Sequence, residues 1–182
     1  IANDIIRNAH NEAKGAYNGI ALIKLMGRDS GFIAAQAVLA IQEVNFVLVP
    51  EISFDLYGEK GFLNILKKRL EERHHAVVVV AEGAGQDLFE TKMEERDASG
   101  NVKHKDIGIF LKEKIKAEFS ALGFPFSIKY IDPSYIIRSL PANANDHAFC
   151  SVLGRDAVHA GMAGKTRLLI GHWNNHFVHI PM

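Results

Sequence analysis

The stretch from Ala76 to Ala81, which contains four consecutive valines, restricts the fold of this 182-residue chain more than any other feature. β-Branched residues favour extended backbone, and they are stiff in a helix. A continuous apolar run without polar alternation indicates a strand that is buried on both faces. Strands of this kind are typical of parallel sheets covered by helices on each side.

The order of elements along the chain agrees with such a sheet. Apolar residues at helical spacing predict helices over 3–15, 30–41, 63–74 and 107–122, and Asp29 and Ser30 are expected to cap the second of them. Further strands are predicted over 20–25, 46–49 and 126–131, and a helix over 144–163 precedes two strands at 167–171 and 176–180. Helices that alternate with strands predict an α/β three-layer sandwich with a mostly parallel sheet, a single portion covering residues 1–182.

The composition excludes several classes of protein. With 48% hydrophobic residues the chain can bury a core, and the equal numbers of acidic and basic residues argue against nucleic-acid or membrane-surface binding. No apolar run approaches the roughly 20 residues that a membrane helix needs. The single cysteine, Cys150, is expected to pack in a helix, and it fits a reducing, cytoplasmic location.

Three polar signals follow predicted strands. Met26, Gly27 and Arg28 begin a glycine-rich turn that either binds an anion or is an ordinary turn with a surface arginine. Glu82, after the valine strand, either accepts hydrogen bonds from a hydroxylated ligand or pairs with an arginine. Tyr135 and Arg138 lie between two prolines, so we expect a fixed loop whose arginine either binds an anion or pairs with an acid. Because ligands of parallel sheets bind beyond the carboxyl ends of strands, we expect the three signals to converge.

Two other motifs carry no such function. Gly164, Lys165 and Thr166 do not form a phosphate-binding loop, since a helix precedes them and His159 stands where that motif needs glycine. We expect a helix C-terminal turn there. His176 and His179 alternate to opposite faces of a strand, which argues against a metal site with His172. The polar segment 87–104 is expected to form a loop or small hairpin at Asp97–Asn101.

The chain resembles the 6-phosphofructokinases, nearest the branch with plant, trypanosomatid and several bacterial enzymes. The segment Lys-Leu-Met-Gly-Arg-Asp-Ser-Gly at 24–31 and the segment Val-Ala-Glu-Gly-Ala-Gly-Gln at 80–86 carry the resemblance. So do Ile-Asp-Pro-Ser-Tyr-Ile-Ile-Arg-Ser at 131–139, Asn-Ala-Asn-Asp at 143–146 and Asn-Asn-His-Phe-Val-His-Ile-Pro at 174–181. The order of the segments is that of the family, over nearly the whole chain.

The resemblance implies roles for individual residues. Met26 and Gly27 would line a fructose 6-phosphate site, Arg28 would stabilise the transferring phosphoryl group, and Glu82 would bind sugar hydroxyls. The element that grips the 6-phosphate would be Tyr135 and Arg138, with Ile136 and Ile137 between them. Lys129 stands where many bacterial relatives carry an arginine that reaches into a neighbouring subunit, although lysine lacks the bidentate fork.

The resemblance also implies what this chain lacks. The Gly-Gly-Asp nucleotide loop and the Gly-Thr-x-Asp-Asn-Asp segment, with the catalytic aspartate and a Mg²⁺ ligand, are expected upstream of Ile1, so the chain alone should be inactive. The expected enzyme is a cytoplasmic, glycolytic homo-oligomer that uses ATP or pyrophosphate as phosphoryl donor with Mg²⁺. A non-catalytic, sugar-phosphate-sensing half of a duplicated enzyme is the alternative.

Overall fold

The computed structural model describes residues 1–89, 96, 100 and 103–182. The loop or hairpin predicted at Asp97–Asn101 therefore lies outside the described residues, apart from Gly100. The chain divides into two compact units, Ile1–Arg138 and Ser139–Met182. The expectation of a single portion over residues 1–182 stays a prediction.

The first unit alternates helices and strands along the chain. Its elements are α1 (Ala2–Gly15), β1 (Gly19–Leu25), α2 (Phe32–Leu39), β2 (Phe46–Leu48), α3 (Phe62–Arg73), β3 (His75–Ala81), a short 3₁₀ helix (Gln86–Leu88), α4 (Ile107–Ala121), β4 (Ser127–Ile131) and α5 (Ser134–Arg138). The second unit consists of α6 (Ala144–Met162), β5 (Leu168–Trp173) and β6 (His176–Pro181).

The four strands of the first unit form one parallel sheet in the order β2-β3-β1-β4. The valine strand β3 lies inside this sheet, and its residues from Ala76 to Ala81 are 0% exposed. The prediction of a parallel sheet from that run is therefore confirmed. Strand β1 is the other interior strand and pairs with both β3 and β4.

Helices cover both faces of the sheet. On one face Ile23 and Val79 pack with Ile6 of α1 and Ala34 of α2. The opposite face, which includes Val78, packs against α3 and α4 through a cluster that contains Leu66, Leu70, Leu111, Ile115 and Phe119. Successive side chains of a strand point to opposite faces, so both faces of β3 are filled. The three-layer α/β prediction is confirmed for this unit.

The N-terminus of α2 differs from the prediction. Asp29 and Ser30 do not cap it, because the helix begins after Gly31, which has no side chain to offer. The carboxylate of Glu51 instead accepts the backbone N–H of Gly31, at 2.8 Å from Oε1 and 3.1 Å from Oε2. Glu51 therefore satisfies the N–H of the residue that precedes the helix, and it places a negative charge at the helix N-terminus, where the helix dipole favours one.

The second unit is a helix followed by an antiparallel hairpin of β5 and β6. Gly164, at φ 70°, and Lys165 close the C-terminus of α6, with the Lys165 N–H 3.0 Å from the carbonyl oxygen of Ala160. This is the predicted helix C-terminal turn. Cys150 lies on α6 and is exposed, so the prediction that it packs is wrong. Ala160 is the buried residue of this helix.

Two of the C-terminal histidines have neighbours that are not metal ligands. The ring of His172 packs edge-on against Phe149, and Nδ1 of His179 lies 2.9 Å from Nζ of Lys165. Over the described ranges, no group of three or more His, Cys, Asp or Glu side chains is placed to hold a metal ion. No helix found in the same ranges is both long and apolar enough to cross a bilayer.

Candidate functional site

The carboxyl ends of β3, β1 and β4 meet at one edge of the sheet. Leu25 at the end of β1 is in register with Ala81 of β3, and Ile23 is in register with Ile131 of β4. Because β1 lies between the other two, the turn after it is flanked by Glu82 on one side and by the segment after Ile131 on the other. The segments that follow these three strands therefore begin at one edge of the sheet.

The Glu82 carboxylate holds the turn after β1. Its Oε1 accepts the backbone N–H of Arg28 at 2.6 Å and that of Gly27 at 3.2 Å. The Glu82 N–H in turn donates to the carbonyl oxygen of Leu25 at 2.9 Å. The sequence predicted Glu82 as a ligand contact or an arginine partner, and it did not predict these bonds to the backbone.

The backbone of this turn is under steric constraint. Arg28 has φ 50°, in the left-handed region that side chains other than glycine disfavour. A Cβ at Gly83 would overlap the carbonyl oxygen of Arg28, and a Cβ at Gly27 would overlap that of Ser30. The turns after β1 and β3 therefore interlock, and Glu82 stabilises the unfavourable conformation of Arg28. Such strain is often found at binding and catalytic sites.

Tyr135 and Arg138 lie on helix α5, so the prediction of a fixed loop between two prolines is wrong. Oδ1 of Asp132 accepts hydrogen bonds from the Ser134 N–H at 3.1 Å and from the Ser134 hydroxyl at 2.5 Å. Pro133 precedes the helix, where its missing N–H costs nothing, and its carbonyl oxygen accepts the Ile137 N–H at 2.9 Å. Proline therefore starts this helix instead of preventing it.

The side chains of α5 divide between core and solvent. Ile137 packs against the apolar cluster on the α1 and α2 face, whereas Tyr135 is 77% exposed and Ile136 is 54% exposed. Arg138 is also exposed. One turn of helix therefore anchors through Ile137 and presents Tyr135 and Arg138 to solvent.

Lys129 lies apart from these groups. It is in the middle of the edge strand β4, its side chain is 59% exposed, and its Nζ lies 3.8 Å from the carboxylate of Glu12 on α1. An exposed ion pair at this distance contributes little stability. The structure does not bring Lys129 to the turn that Glu82 holds.

A cluster around Lys24, the penultimate residue of β1, was not predicted from the sequence. Its ammonium lies 2.6 Å from Oδ2 of Asp106 and 2.9 Å from Oδ2 of Asp132, and its side chain is 12% exposed. The Tyr130 hydroxyl donates to Asp106 at 3.0 Å. One signal could have revealed the cluster, because Lys24 is the only charged residue in an apolar strand and a buried ammonium requires acidic partners.

The cluster shifts the ionisation of its members. Burial disfavours the Lys24 ammonium, but its hydrogen bonds to Asp106 and Asp132 outweigh burial and hold its pKa well above the ordinary value. Burial likewise acts to raise the pKa of both carboxyls. The bond to Lys24 at Asp106, and the bonds to Ser134 and Lys24 at Asp132, lower them instead. Burial, with the bond to Asp106, raises the pKa of Tyr130. Lys24, Asp106 and Asp132 therefore all remain charged near neutral pH.

Gln86 connects this cluster to the turn after β3. Its Nε2 donates to the carbonyl oxygens of Glu82 and Lys105, each at 3.0 Å, and its Oε1 accepts the Lys105 N–H at 3.1 Å. Lys105 precedes Asp106, whose Oδ1 accepts the Ile109 N–H and so caps α4. Hydrogen bonds thus lead from the Glu82 turn to Asp106, and from there through Lys24 to α5.

The first unit is thus a three-layer α/β protein of the class that binds ligands at the carboxyl edge of a parallel sheet. The chain belongs to the phosphofructokinase family, whose family model, described as "Phosphofructokinase", matches residues 1–161. Curated relatives include the "ATP-dependent 6-phosphofructokinase" of Borreliella burgdorferi, 54% identical over 97% of this chain and 41% of that protein. The "ATP-dependent 6-phosphofructokinase 5, chloroplastic" of Arabidopsis thaliana is 45% identical over all of this chain and 34% of its own.

Solved structures show the same fold. The phosphofructokinase of Saccharomyces cerevisiae matches 98% of this chain with a TM-score of 0.68 at 21% identity, and the match covers 22% of that chain. A pyrophosphate-dependent phosphofructokinase of Marinobacter aquaeolei matches with a TM-score of 0.63, also at 21% identity, over 98% of this chain and 43% of its own. The chain spans about two fifths of the length of the curated relatives it matches.

Proposed function

We propose that this chain is the sugar-phosphate-binding portion of a 6-phosphofructokinase, which transfers a phosphoryl group to the 1-hydroxyl of fructose 6-phosphate. The observation that carries the proposal is the bonding of Glu82 to the N–H groups of Gly27 and Arg28 at the carboxyl edge of the sheet. The relatives are named ATP-dependent 6-phosphofructokinases, which favours a catalytic protein over a sugar-phosphate-sensing half.

The proposed roles follow from the chemistry of each group. Met26 and Gly27 line the sugar site, and the Glu82 carboxylate has capacity to accept a sugar hydroxyl besides its two backbone donors. Arg28 stabilises the charge of the transferring phosphoryl group, because phosphoryl transfer depends on positioning and charge neutralisation.

The 6-phosphate is assigned to α5. A phosphate needs donors that are exposed in the absence of ligand, and both Tyr135 and Arg138 are exposed on a helix anchored by Ile137. Arginine offers a planar fork that matches phosphate oxygens. Ile136 lies between them on the same turn. Lys129 is proposed to reach into the substrate site of a neighbouring subunit in a homo-oligomer.

We place the remaining chemistry outside this chain. Over the described residues, no group of three or more His, Cys, Asp or Glu side chains is placed to hold the Mg²⁺ that the family resemblance implies. The catalytic base, the Mg²⁺ ligands and the donor site are proposed to lie in other segments of the full-length protein. ATP is the proposed donor and pyrophosphate the alternative, with a cytoplasmic location.

Isothermal titration of the full-length protein with fructose 6-phosphate tests the assignment of Arg138. Arg138→Ala removes the proposed fork to the 6-phosphate, so we expect affinity to fall by roughly tenfold to a hundredfold, the range for a hydrogen bond between charged groups. Arg73→Ala serves as the matched control and should bind as wild type, because this exposed arginine ends α3 and leads into the first residue of β3, at the opposite edge of the sheet. Unchanged binding by Arg138→Ala would contradict the assignment.

A further inference from the structure

The Lys24 cluster, defined as Lys24, Asp106, Tyr130 and Asp132, is the strongest unassigned feature of the first unit. An ammonium with 12% exposure contacts two carboxylates at 2.6 and 2.9 Å, and these carboxylates belong to different parts of the fold. Asp106 precedes α4, whereas Asp132 follows β4. Removing the ammonium would leave two adjacent, partly buried carboxylates that repel each other.

Asp132 uses its two oxygens for different partners. Oδ2 contacts the Lys24 ammonium at 2.9 Å, and Oδ1 accepts the N–H and hydroxyl of Ser134 at the first residue of α5. The same carboxylate therefore ties the start of α5 to β1. Lys24 is two residues before Met26, so the contact between Lys24 and Asp132 also sets the distance between α5 and the turn after β1.

The other carboxylate leads to the turn after β3. Asp106 follows Lys105, whose backbone bonds with Gln86 on both its N–H and its carbonyl oxygen, and Gln86 also bonds with the carbonyl oxygen of Glu82. Lys24 is thus the common partner of two chains of hydrogen bonds. One ends at the helix that carries Tyr135 and Arg138, and the other ends at Glu82.

We propose that Lys24 and Asp132 are positioning residues that hold α5 against the turns of Arg28 and Glu82, and so set the spacing between the sugar-contacting and the phosphate-contacting groups. Neither side chain is proposed to touch substrate. This inference rests on the function proposed above. A binding site for a sugar phosphate must hold groups at both ends of the ligand at a fixed separation, and α5 is only five residues long.

Asp132→Asn in the full-length protein is the decisive variant. Asparagine keeps an oxygen that accepts from Ser134, so the start of α5 is retained, but it loses the charge that Lys24 binds. We expect KM for fructose 6-phosphate to rise by roughly tenfold, the effect of one charge-assisted hydrogen bond, with kcat changed by less than about twofold. Lys24→Met should raise KM at least as much, and Lys24→Arg, which keeps the charge, should restore part of the loss.

The control is Lys67→Met. Lys67 of α3 also pairs with a carboxylate, that of Glu71, but it lies beside Phe124, beyond the C-terminal end of α4 and away from Asp106. Lys67→Met should keep the wild-type KM. KM does not depend on the fraction of folded enzyme. If Lys24 and Asp132 only stabilise the fold, their variants will have a lower melting temperature and an unchanged KM. That result would overturn the inference. The melting temperature is therefore recorded for each variant.

The outcomes separate this inference from the proposed function. If Arg138→Ala weakens binding of fructose 6-phosphate and Asp132→Asn does not raise KM, the site assignment stands and the positioning role is wrong. If wild-type protein does not phosphorylate fructose 6-phosphate, the proposed function fails and the inference fails with it. If Lys24→Met does not fold, the isosteric Asp132→Asn decides alone.

Discussion

Arg28 combines an unfavourable backbone conformation with the side chain that we assign to the transferring phosphoryl group. Its φ of 50° is supported by Glu82, which accepts its N–H at 2.6 Å, and by the close approach of Gly83 to its carbonyl oxygen. The backbone of Arg28 held in this way loses little further conformational entropy when a ligand binds. Whether its side chain acts mainly on the transition state is decided by kinetics.

Arg28→Ala in the full-length protein tests that role. We expect kcat to fall by about 10²- to 10³-fold with little change in KM, the pattern for a group that binds the transition state more tightly than the substrate. Arg28→Gly should lose as much, because glycine removes the strain at positive φ but not the need for charge. Steady-state kinetics at saturating donor is the measurement, and a rise in KM with unchanged kcat would contradict the assignment.

At the level of elements, the Lys24 cluster joins β1, β4 and the start of α4 where the three meet. The folded-state pKa values of Asp106 and Asp132 lie below their ordinary value of 3.8, so their contribution to stability is present above about that pH and is lost as pH falls further. The pKa of Lys24 lies above its ordinary value of 10.5, so its contribution is present below that pH and is lost as pH rises past it. Tyr130, the remaining titratable group of the cluster, has a raised pKa and is neutral throughout this range. The cluster therefore contributes constant stability across the neutral range.

The acid limit of that range gives a measurable prediction for Asp132→Asn. We expect its melting temperature to lie below that of wild type by a constant amount between about pH 5 and pH 9, and the difference to shrink as pH falls below about 4, where wild type loses the same charge. Scanning calorimetry of both proteins across this range is the measurement. A difference that persists unchanged down to about pH 3 would show that the charge of Asp132 does not stabilise the fold.

On the scale of the whole molecule, this chain supplies only part of the reaction that we propose. It spans about two fifths of the length of the curated relatives it matches, and its described residues include no group of three or more His, Cys, Asp or Glu side chains placed to hold a metal ion. The proposed function places sugar and phosphate recognition in this chain and donor binding in other segments, so the donor is tested on the full-length protein.

Parallel assays of the full-length protein with ATP and with pyrophosphate test the donor. We expect kcat/KM with ATP to exceed that with pyrophosphate by at least about tenfold, since a site that binds one donor through polar groups leaves them unpaired with the other. The names of the relatives support this direction. An equal or higher value with pyrophosphate would contradict it. Arg138→Ala should lower both rates, because it acts on the sugar phosphate.

The sequence by itself determined the parallel three-layer fold, because four consecutive valines require cover on both faces and the alternation of helices and strands supplies it. It also identified Arg28, Glu82, Tyr135 and Arg138 as candidates, since each follows a strand that could be recognised locally. Tertiary structure decided which groups meet. Glu82 bonds with Arg28 across 54 positions and Lys24 with Asp106 across 82. The first pair depends on the register of β1 against β3 and the second on where α4 packs beside β1, and local patterns specify neither. The same holds for α5, where Asp132 and Pro133 start a helix in place of the expected loop. The second oxygen of Asp132 contacts the largely buried ammonium of Lys24, which is distant in the sequence.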